Sequence, residues 1–416
     1  MPTRREILKA SLNSAALVAL APTVPAFLAR TARAAAPERD GRALVVVQLD
    51  GGNDAINTLV PFSDEGYARN RKVLRLQEKQ LIRVNDRVGL HPALRDLGAL
   101  LDRGHLALVP GVGYPNPNRS HFESMAIWQT ARLDLEERGG PGWIGRGLDA
   151  RAGTSAAAGP AAGTSALYVG EGTPPIALRG RRAGAMSLER IEDLTLPGGS
   201  CRSLMETPLE TQAEVDDGLS AYVRRSVLAA YSSAERVAEL TQRRGTGQDA
   251  RYPETALAGR LRTVAQLLKA DLGARVFYTI QSGYDTHAGQ SNTHYQLLDE
   301  LSSAAKAFLD DLTSSNLADR VTVLCFSEFG RRVAENSSAG TDHGTAGLVM
   351  LAGPGVRAGL HGNVPSLTEL VDGDPKISTD FRRVYATVLE DWLGMPSRAA
   401  LGSDFEPLPV FRSKSL

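Results

Sequence analysis

The sequence predicts an α/β fold in three layers, with a central, mostly parallel β-sheet between layers of helices. Three observations carry that expectation. Ala43–Leu49 (ALVVVQL) holds six apolar residues, three of them consecutive valines, as does a strand buried on both faces of a parallel sheet. Apolar, β-branched runs recur at Leu106–Val109, Val276–Ile280, Val321–Phe326 and Leu348–Ala352. Segments with apolar residues at helical spacing lie between them, and strand–helix–strand alternation is the α/β pattern.

The first strand stops on Asp50 and turns at once through Gly51 and Gly52. That puts a carboxylate at the carboxyl end of a central strand, where open α/β sheets place their ligands, and glycines let other backbone come close. Asp50 is read in two ways, as a turn or cap residue and as a metal ligand. A charged stretch, Tyr67–Arg87, precedes the helical pattern LHPALRDLGALLDRG, which ends at Gly104. After the second strand, Pro115 and Pro117 mark a loop and Ser120 opens a helix. Ser120 and Glu123 have the spacing of a capping box. A hydroxyl at a helix N-terminus is also where a nucleophile feels the dipole and an anion binds, so Ser120 carries both readings. Arg119 is placed to neutralise an anion, and His121 is read either as a packed residue or as a catalytic one.

Ala152–Ala166 is a low-complexity Ala/Gly/Ser/Thr stretch, followed by strand-like ALYVG and a loop-rich region, Pro174–Pro208. Two helical patterns follow, over residues 221–242 and 254–272. The loop after Val276–Ile280 delivers Asp285 and His287 ahead of an amphipathic helix beginning near Tyr295. Glu328 stands just past the strand Val321–Phe326, and Asp342 and His343 lie in a loop before Leu348. A last helix is expected over Asp380–Leu393. His91 is read as structural or lining the cleft, and His361 as a loop histidine or a further ligand.

Residues 1–34 read as an address. Arg4 and Arg5 stand together ahead of Ile7, Leu8 and Lys9, an alanine-rich segment follows, and Ala32-Arg33-Ala34 has the small-residue spacing of a cleavage site, with Ala36 as the alternative. This has the form of a twin-arginine export signal, implying the twin-arginine translocase as a partner and a periplasmic or secreted location. Prolines at 22 and 25 and weak apolarity make it a poor membrane span, and no other stretch approaches the roughly 20 apolar residues that a span needs. Met1–Ala34 carries five of the 47 basic residues and one of the 47 acidic ones, leaving 42 against 46 and a net charge of −4. No basic field remains to attract nucleic acid. The expected organisation is one domain over residues 43–416 with a loop-rich insertion near 150–218. Of the two cysteines, Cys325 lies in a core-like run and Cys201 in a loop; a disulfide between them stays open, and neither points to a metal site.

Four strand-end segments thus each bring acids, imidazoles or both. Carboxylates and imidazoles without cysteine suit Zn, Mn, Fe or Mg. Two clusters of such ligands about 4 Å apart would clamp an in-line displacement at phosphorus or sulfur. LDGGND, NRSHF, GYDTH, SEFGRR and TDHG, in that order behind a twin-arginine signal, resemble the bacterial family labelled domain of unknown function 1501 over almost the whole mature chain. That family is similar to the alkaline phosphatase and sulfatase superfamily. The resemblance implies an alkaline phosphatase-like fold, up to two divalent ions and hydrolysis of an anionic phosphate or sulfate ester. It places Asp50 and Glu328 on the ion nearest the nucleophile, Asp285, His287 and His343 on the other, and Ser120 as nucleophile. Asp342, beside His343, is a further candidate ligand from the strand-end segments themselves. Three departures stand out: Phe329 follows Glu328 where an imidazole is usual, Asp285 and His287 are only two apart, and Ser120 lies in no phosphatase or sulfatase nucleophile motif. The alternative function is a non-catalytic envelope protein that keeps the scaffold for binding or assembly.

Overall fold

The computed structural model describes residues 41–154, 166–181, 183, 185–191 and 251–412. The export signal, the low-complexity stretch beyond Thr154, the helical pattern over 221–242, Cys201 and most of the insertion near 150–218 lie outside the described residues.

Nine strands form the central sheet: β1 (Ala43–Asp50), β2 (Leu106–Gly113), β3 (Ala166–Val169), β4 (Ala185–Leu188), β5 (Val276–Ser282), β6 (Val321–Phe326), β7 (Gly347–Ala352), β8 (Gly359–Leu360) and β9 (Thr379–Asp380). Their spatial order is β8-β2-β7-β6-β1-β5-β3-β4, with β9 also beside β2. Every pairing is parallel except those of β7, which runs antiparallel to both β2 and β6. The predicted mostly parallel sheet is therefore present. Apolar content announced β7 as a strand but carried nothing about its direction.

Helices cover both faces. Leu44 and Val46 of β1 enter one core, with Trp128 of α2 (His121–Thr130), Trp143 of α3 (Trp143–Thr154) and Tyr385 of α6 (Phe381–Thr387). Val45, Val47 and Leu49 enter the other, with Leu97 of α1 (Arg95–Asp102), Leu261 of α4 (Ala256–Lys269) and Phe308 of α5 (Gln290–Ser314). Burying five large aliphatic side chains on one strand contributes on the order of 10 kcal/mol gross, as much as the whole net stability of a typical domain. The register of β1, and with it the position of Asp50, is accordingly fixed from both sides. Helix α5 starts at Gln290, five residues before the expected Tyr295, where Gly289 (φ 54°) turns the chain in. Beyond α6 the chain widens into a π-helical turn at Val388–Trp392, closed by Leu393 N–H to the Val388 carbonyl at 2.9 Å. Cys325 is a buried free thiol. Among the described residues no helix is long and apolar enough to cross a membrane.

A polar layer follows β1. Asp54 and Arg71 are both fully buried and pair at 2.6 Å. Arg71 also donates to the carbonyls of Val333 (2.7 Å) and Arg332 (2.8 Å), while Gln290 donates to Asp54 at 2.5 Å. Asn53 Oδ1 lies 2.9 Å from His294 Nε2, and His91 packs edge-on against His294. Burial pushes both imidazoles down, to about 3 for His91 and about 4 for His294, so both are neutral packing groups. His361 Nε2 bonds the Arg357 carbonyl of its own loop.

Burial alone would raise the Asp54 carboxyl, but the Arg71 charge and hydrogen bonds outweigh it and bring it down to about 2 from an ordinary 3.8. A depressed carboxyl stabilises the fold above its unfolded value. The Asp54 contribution is therefore whole above about pH 4 and lost as pH falls towards 2. Arg71→Met, which strands the buried carboxylate, should cost about 3–5 kcal/mol in urea unfolding at pH 7, and a cost under ~1 kcal/mol would refute this account of the layer.

Candidate metal centre

The sequence-predicted residues arrive at the carboxyl ends of three adjacent strands. Asp50 ends β1, Asp285 and His287 lie between β5 and α5, and Glu328 stands two residues past β6. A small hairpin, Arg331–Glu335 paired with Thr341–His343, carries Asp342 and His343. His121 is the first residue of α2. Gly51 (φ 117°) and Gly52 (φ 74°) make the crossing possible. A Cβ on Gly51 would stand 2.5 Å from the Asp285 nitrogen, and one on Gly52 would stand 2.3 Å from the Phe329 ring. No side chain fits either place, and both dihedrals favour glycine.

The fully buried Arg331 holds these segments together. Its guanidinium donates to the carbonyls of Gly51 (2.5 Å), Gly52 (2.7 Å), Thr341 (2.7 Å) and Tyr284 (3.0 Å), and to Asp285 Oδ1 (2.7 Å). Burial by itself would raise the Asp285 carboxyl, yet its neighbours, the Arg331 hydrogen bond first among them, bring it down to about 2. It is ionised at any physiological pH.

Around Asp285 Oδ1 the three imidazoles converge. His287 Nε2 and His343 Nε2 each lie 3.1 Å from it, and His121 Nε2 lies 3.6 Å away. His287 Nε2 and His343 Nε2 are 2.9 Å apart. What stands behind each ring assigns its tautomer. Nδ1 of His121 faces Glu328 Oε1 at 2.7 Å, Nδ1 of His287 faces Asp342 Oδ1 at 3.2 Å, and Nδ1 of His343 faces the Arg119 carbonyl at 2.8 Å. Carbonyl and carboxylate oxygens only accept, so Nδ1 is the donor in each of these three bonds, and a ring that carries only that hydrogen offers the lone pair of Nε2. Three such lone pairs and a carboxylate oxygen would then face one another with no hydrogen between them. The donor set fits a cation: ligands about 2.0 Å from a tetrahedral zinc stand roughly 3.3 Å apart. Imidazole-rich sets suit Zn, Mn or Fe better than Mg.

The other candidates occupy different places. Asp342 stands behind His287 and also accepts from Asn336 at 3.1 Å, which heads the causes lowering its carboxyl. Glu328 is buried, and its oxygens receive Gly51 N–H (3.0 Å), the His121 ring and the Ser327 hydroxyl (2.9 Å). Asp50 accepts from Gln48 at 3.1 Å, and Tyr278 and Gln129 anchor Gln48 in turn. Burial, then the Glu328 charge, raises the Asp50 carboxyl. The Arg119 guanidinium is committed to the buried Asp374. Ser120 is exposed at the N-terminus of α2 and its side chain makes no capping bond, while Glu123 turns to Arg138 and the Ser120 N–H is taken by Asn118 Oδ1 at 2.7 Å. The expected capping box is thus absent. Glu328 heads the causes holding the His121 imidazole above its ordinary value, so proton and cation compete for its Nε2.

Sequence reasoning gave no role to Arg331, Arg71, Asp54 or Gln290. Adjacent arginines in SEFGRR offer no local sign that one of them is buried.

The model of a family described as "Protein of unknown function (DUF1501)" matches residues 41–392. No curated protein matches the chain. Among solved structures, the chain is similar to the C-terminal periplasmic domain of EcEptC from Escherichia coli in complex with Zn, at 9% identity and TM-score 0.36, covering 75% of this chain and 73% of that one. It is also similar to the lipoteichoic acid synthase LtaP from Listeria monocytogenes, at 11% identity and TM-score 0.35, covering 82% and 75%.

Arg331→Met should leave four carbonyls without their donor and lower stability by on the order of 3 kcal/mol or more. The variant should also lose zinc binding in a calorimetric titration of whatever protein remains folded. Unchanged stability and zinc affinity would remove Arg331 as the organiser of the site.

Proposed function

The chain belongs to the DUF1501 family, and we propose that it is an exported metal-dependent hydrolase of phosphate or sulfate esters. One observation carries the reading: three imidazoles, each with Nδ1 against an acceptor oxygen behind it, aim their Nε2 atoms at the Asp285 carboxylate, all within 3.6 Å of its Oδ1. The motif order and its superfamily resemblance supply the reaction class, and the twin-arginine segment in residues 1–34 supplies export. Organisation as a single domain with a loop-rich insertion belongs to the same proposal.

In this reading Asp285, His287 and His343 hold a divalent ion, with Zn, Mn or Fe preferred. When bound, it would polarise the ester and offset charge developing on oxygen. Ser120 presents its hydroxyl at the N-terminus of the ten-residue α2, where the helix dipole favours the anionic ester group. Its oxygen would bond to phosphorus or sulfur as the bond to the alcohol oxygen breaks, the serine proton ending on the departing alcohol, and water would then cleave the serine ester and restore the hydroxyl. The committed Arg119 guanidinium keeps partial exposure on one side and can still face an anion. Asp342 and Glu328 keep His287 and His121 in the required tautomer.

The second reading, a binding or assembly protein on the same scaffold, draws support from Phe329, which lies against the His121 and His343 rings where the resemblance expects an imidazole.

Aryl phosphates, phosphodiesters and aryl sulfates, assayed before and after chelation and again with added Zn or Mn, decide between the two. Hydrolysis should vanish on chelation, return with metal and fall at least ~100-fold in His287→Ala. Turnover indifferent to chelator would overturn the metal mechanism. Absence of turnover on all three classes, with metal still bound, would favour the binding protein. Ser120→Ala should cost at least ~100-fold in kcat, and an unchanged kcat would remove the serine while leaving the metal.

A further inference from the structure

We infer that His121 is itself a metal ligand, so that one ion is held by His121, Asp285, His287 and His343, with Glu328 orienting the His121 ring instead of binding a second ion. The inference rests on the metal reading above and departs from the layout carried over by resemblance, in which Asp50 and Glu328 hold an ion of their own.

Four observations support it. First, the donor atoms of His121, Asp285 and His343 all lie within 4.8 Å of one another, and His287 adds a further nitrogen 3.1 Å from the shared Asp285 oxygen. Second, His121 Nε2 is buried and lacks a hydrogen-bond partner, the cost of which a bound cation would remove. Third, Glu328 Oε1 faces both the Gly51 N–H and the His121 ring, which sets that carboxylate behind the imidazole. Carboxylate to Nδ1–H, with Nε2 to metal, is the arrangement that fixes tautomer and raises ligand basicity at metal sites. Fourth, the imidazole missing from position 329 is replaced in space. The Phe329 and His121 ring centroids are 4.9 Å apart, so the ring from α2 lies against the residue that takes the usual ligand position.

The distance also separates this role from that of a general base. A base acting through a bound water sits a further hydrogen-bond length, roughly 2.8 Å, outside the ligand shell. His121 Nε2 stands 3.6 Å from a ligand oxygen, close to the roughly 3.3 Å edge of a shared shell. It is the loosest of the three nitrogens, at 3.6 Å against 3.1 Å for the other two.

The test uses the mature chain, freed of metal by chelation and titrated with zinc alone. Wild type should take up one ion per chain. His121→Asn, which keeps a donor for Glu328, and His287→Ala should each weaken zinc binding at least ~100-fold, whereas Glu328→Gln should weaken it by about 10–100-fold without changing the stoichiometry. X-ray absorption of the zinc-loaded wild type should count three imidazoles, a reading that needs no variant to fold. Two imidazoles, or a His121→Asn protein that binds as tightly as wild type while His287→Ala does not, would overturn the His121 assignment and leave the metal reading intact. Two ions per chain, one of them lost in Glu328→Gln, would restore the two-site layout. No zinc bound by wild type would remove the metal reading itself, and this inference with it.

Discussion

One buried positive charge organises the edge of the sheet. The Arg331 guanidinium gathers carbonyls from the Gly51–Gly52 turn, from Tyr284 and from Thr341, three stretches that lie far apart in the chain. Loops of this kind have weak preferences of their own, and two of the residues involved are glycines chosen for close approach. A planar cation with five fixed donors is what gives them one relative geometry. The same group sets a charge state: by bonding Asp285 it keeps the carboxylate ionised at the point where the imidazoles meet. Geometry and electrostatics at the centre therefore share one cause.

A second layer supports the first. Gln290 accepts from Thr286 (3.1 Å) and Thr341 (2.6 Å) while donating to Asp54, so the Asp285–His287 loop and the hairpin are pinned from below as well. Arg71 continues the chain of contacts into the other hairpin strand through Arg332 and Val333. Buried charges are costly, and an apolar core of equal volume would often be as stable. Two fully buried arginines near one sheet edge are better explained by the positioning they supply. Donor atoms must be held to about 0.5 Å for a site to work, and backbone loops alone do not hold them so.

Much of this was legible in the sequence, for identifiable reasons. The buried strands announce themselves because β-branched runs answer to a local rule, and their ends mark the ligand edge because the topology of parallel sheets fixes it. Asp50, Asp285, His287 and Glu328 could be picked out in that way, whereas His343 precedes β7 and reaches the same edge because β7 runs antiparallel. The sense of β7 could not, since an apolar run reads alike in both directions. Arg331 and Arg71 looked like surface charge, because burial of an arginine depends on carbonyls supplied from elsewhere in the chain. The two readings of His121 could not be separated either: its ring is set by Glu328, 207 residues away. Glu123 shows the converse, a local capping signal overridden when Arg138 offered a charged partner.

The charge balance of the cup constrains the order of events. Asp50, Asp285, Glu328 and Asp342 bring four carboxylates, and among the described residues the arginine bonded to one of them is Arg331, fully buried and spent largely on carbonyls. The Arg119 guanidinium is already paired with Asp374. An anionic ester approaching this surface meets repulsion of about 4 kcal/mol per unit-charge pair at 4 Å for an effective dielectric of 20. Two features relieve it: the upward shift of the Asp50 carboxyl, which lets one negative charge be neutralised more readily, and cations taken up at the imidazoles. Of the two, only cation uptake can reverse the sign of the field. In the proposed hydrolase a divalent ion would therefore have to precede the substrate, because the acids that would attract the metal would also repel an anion until the metal is bound.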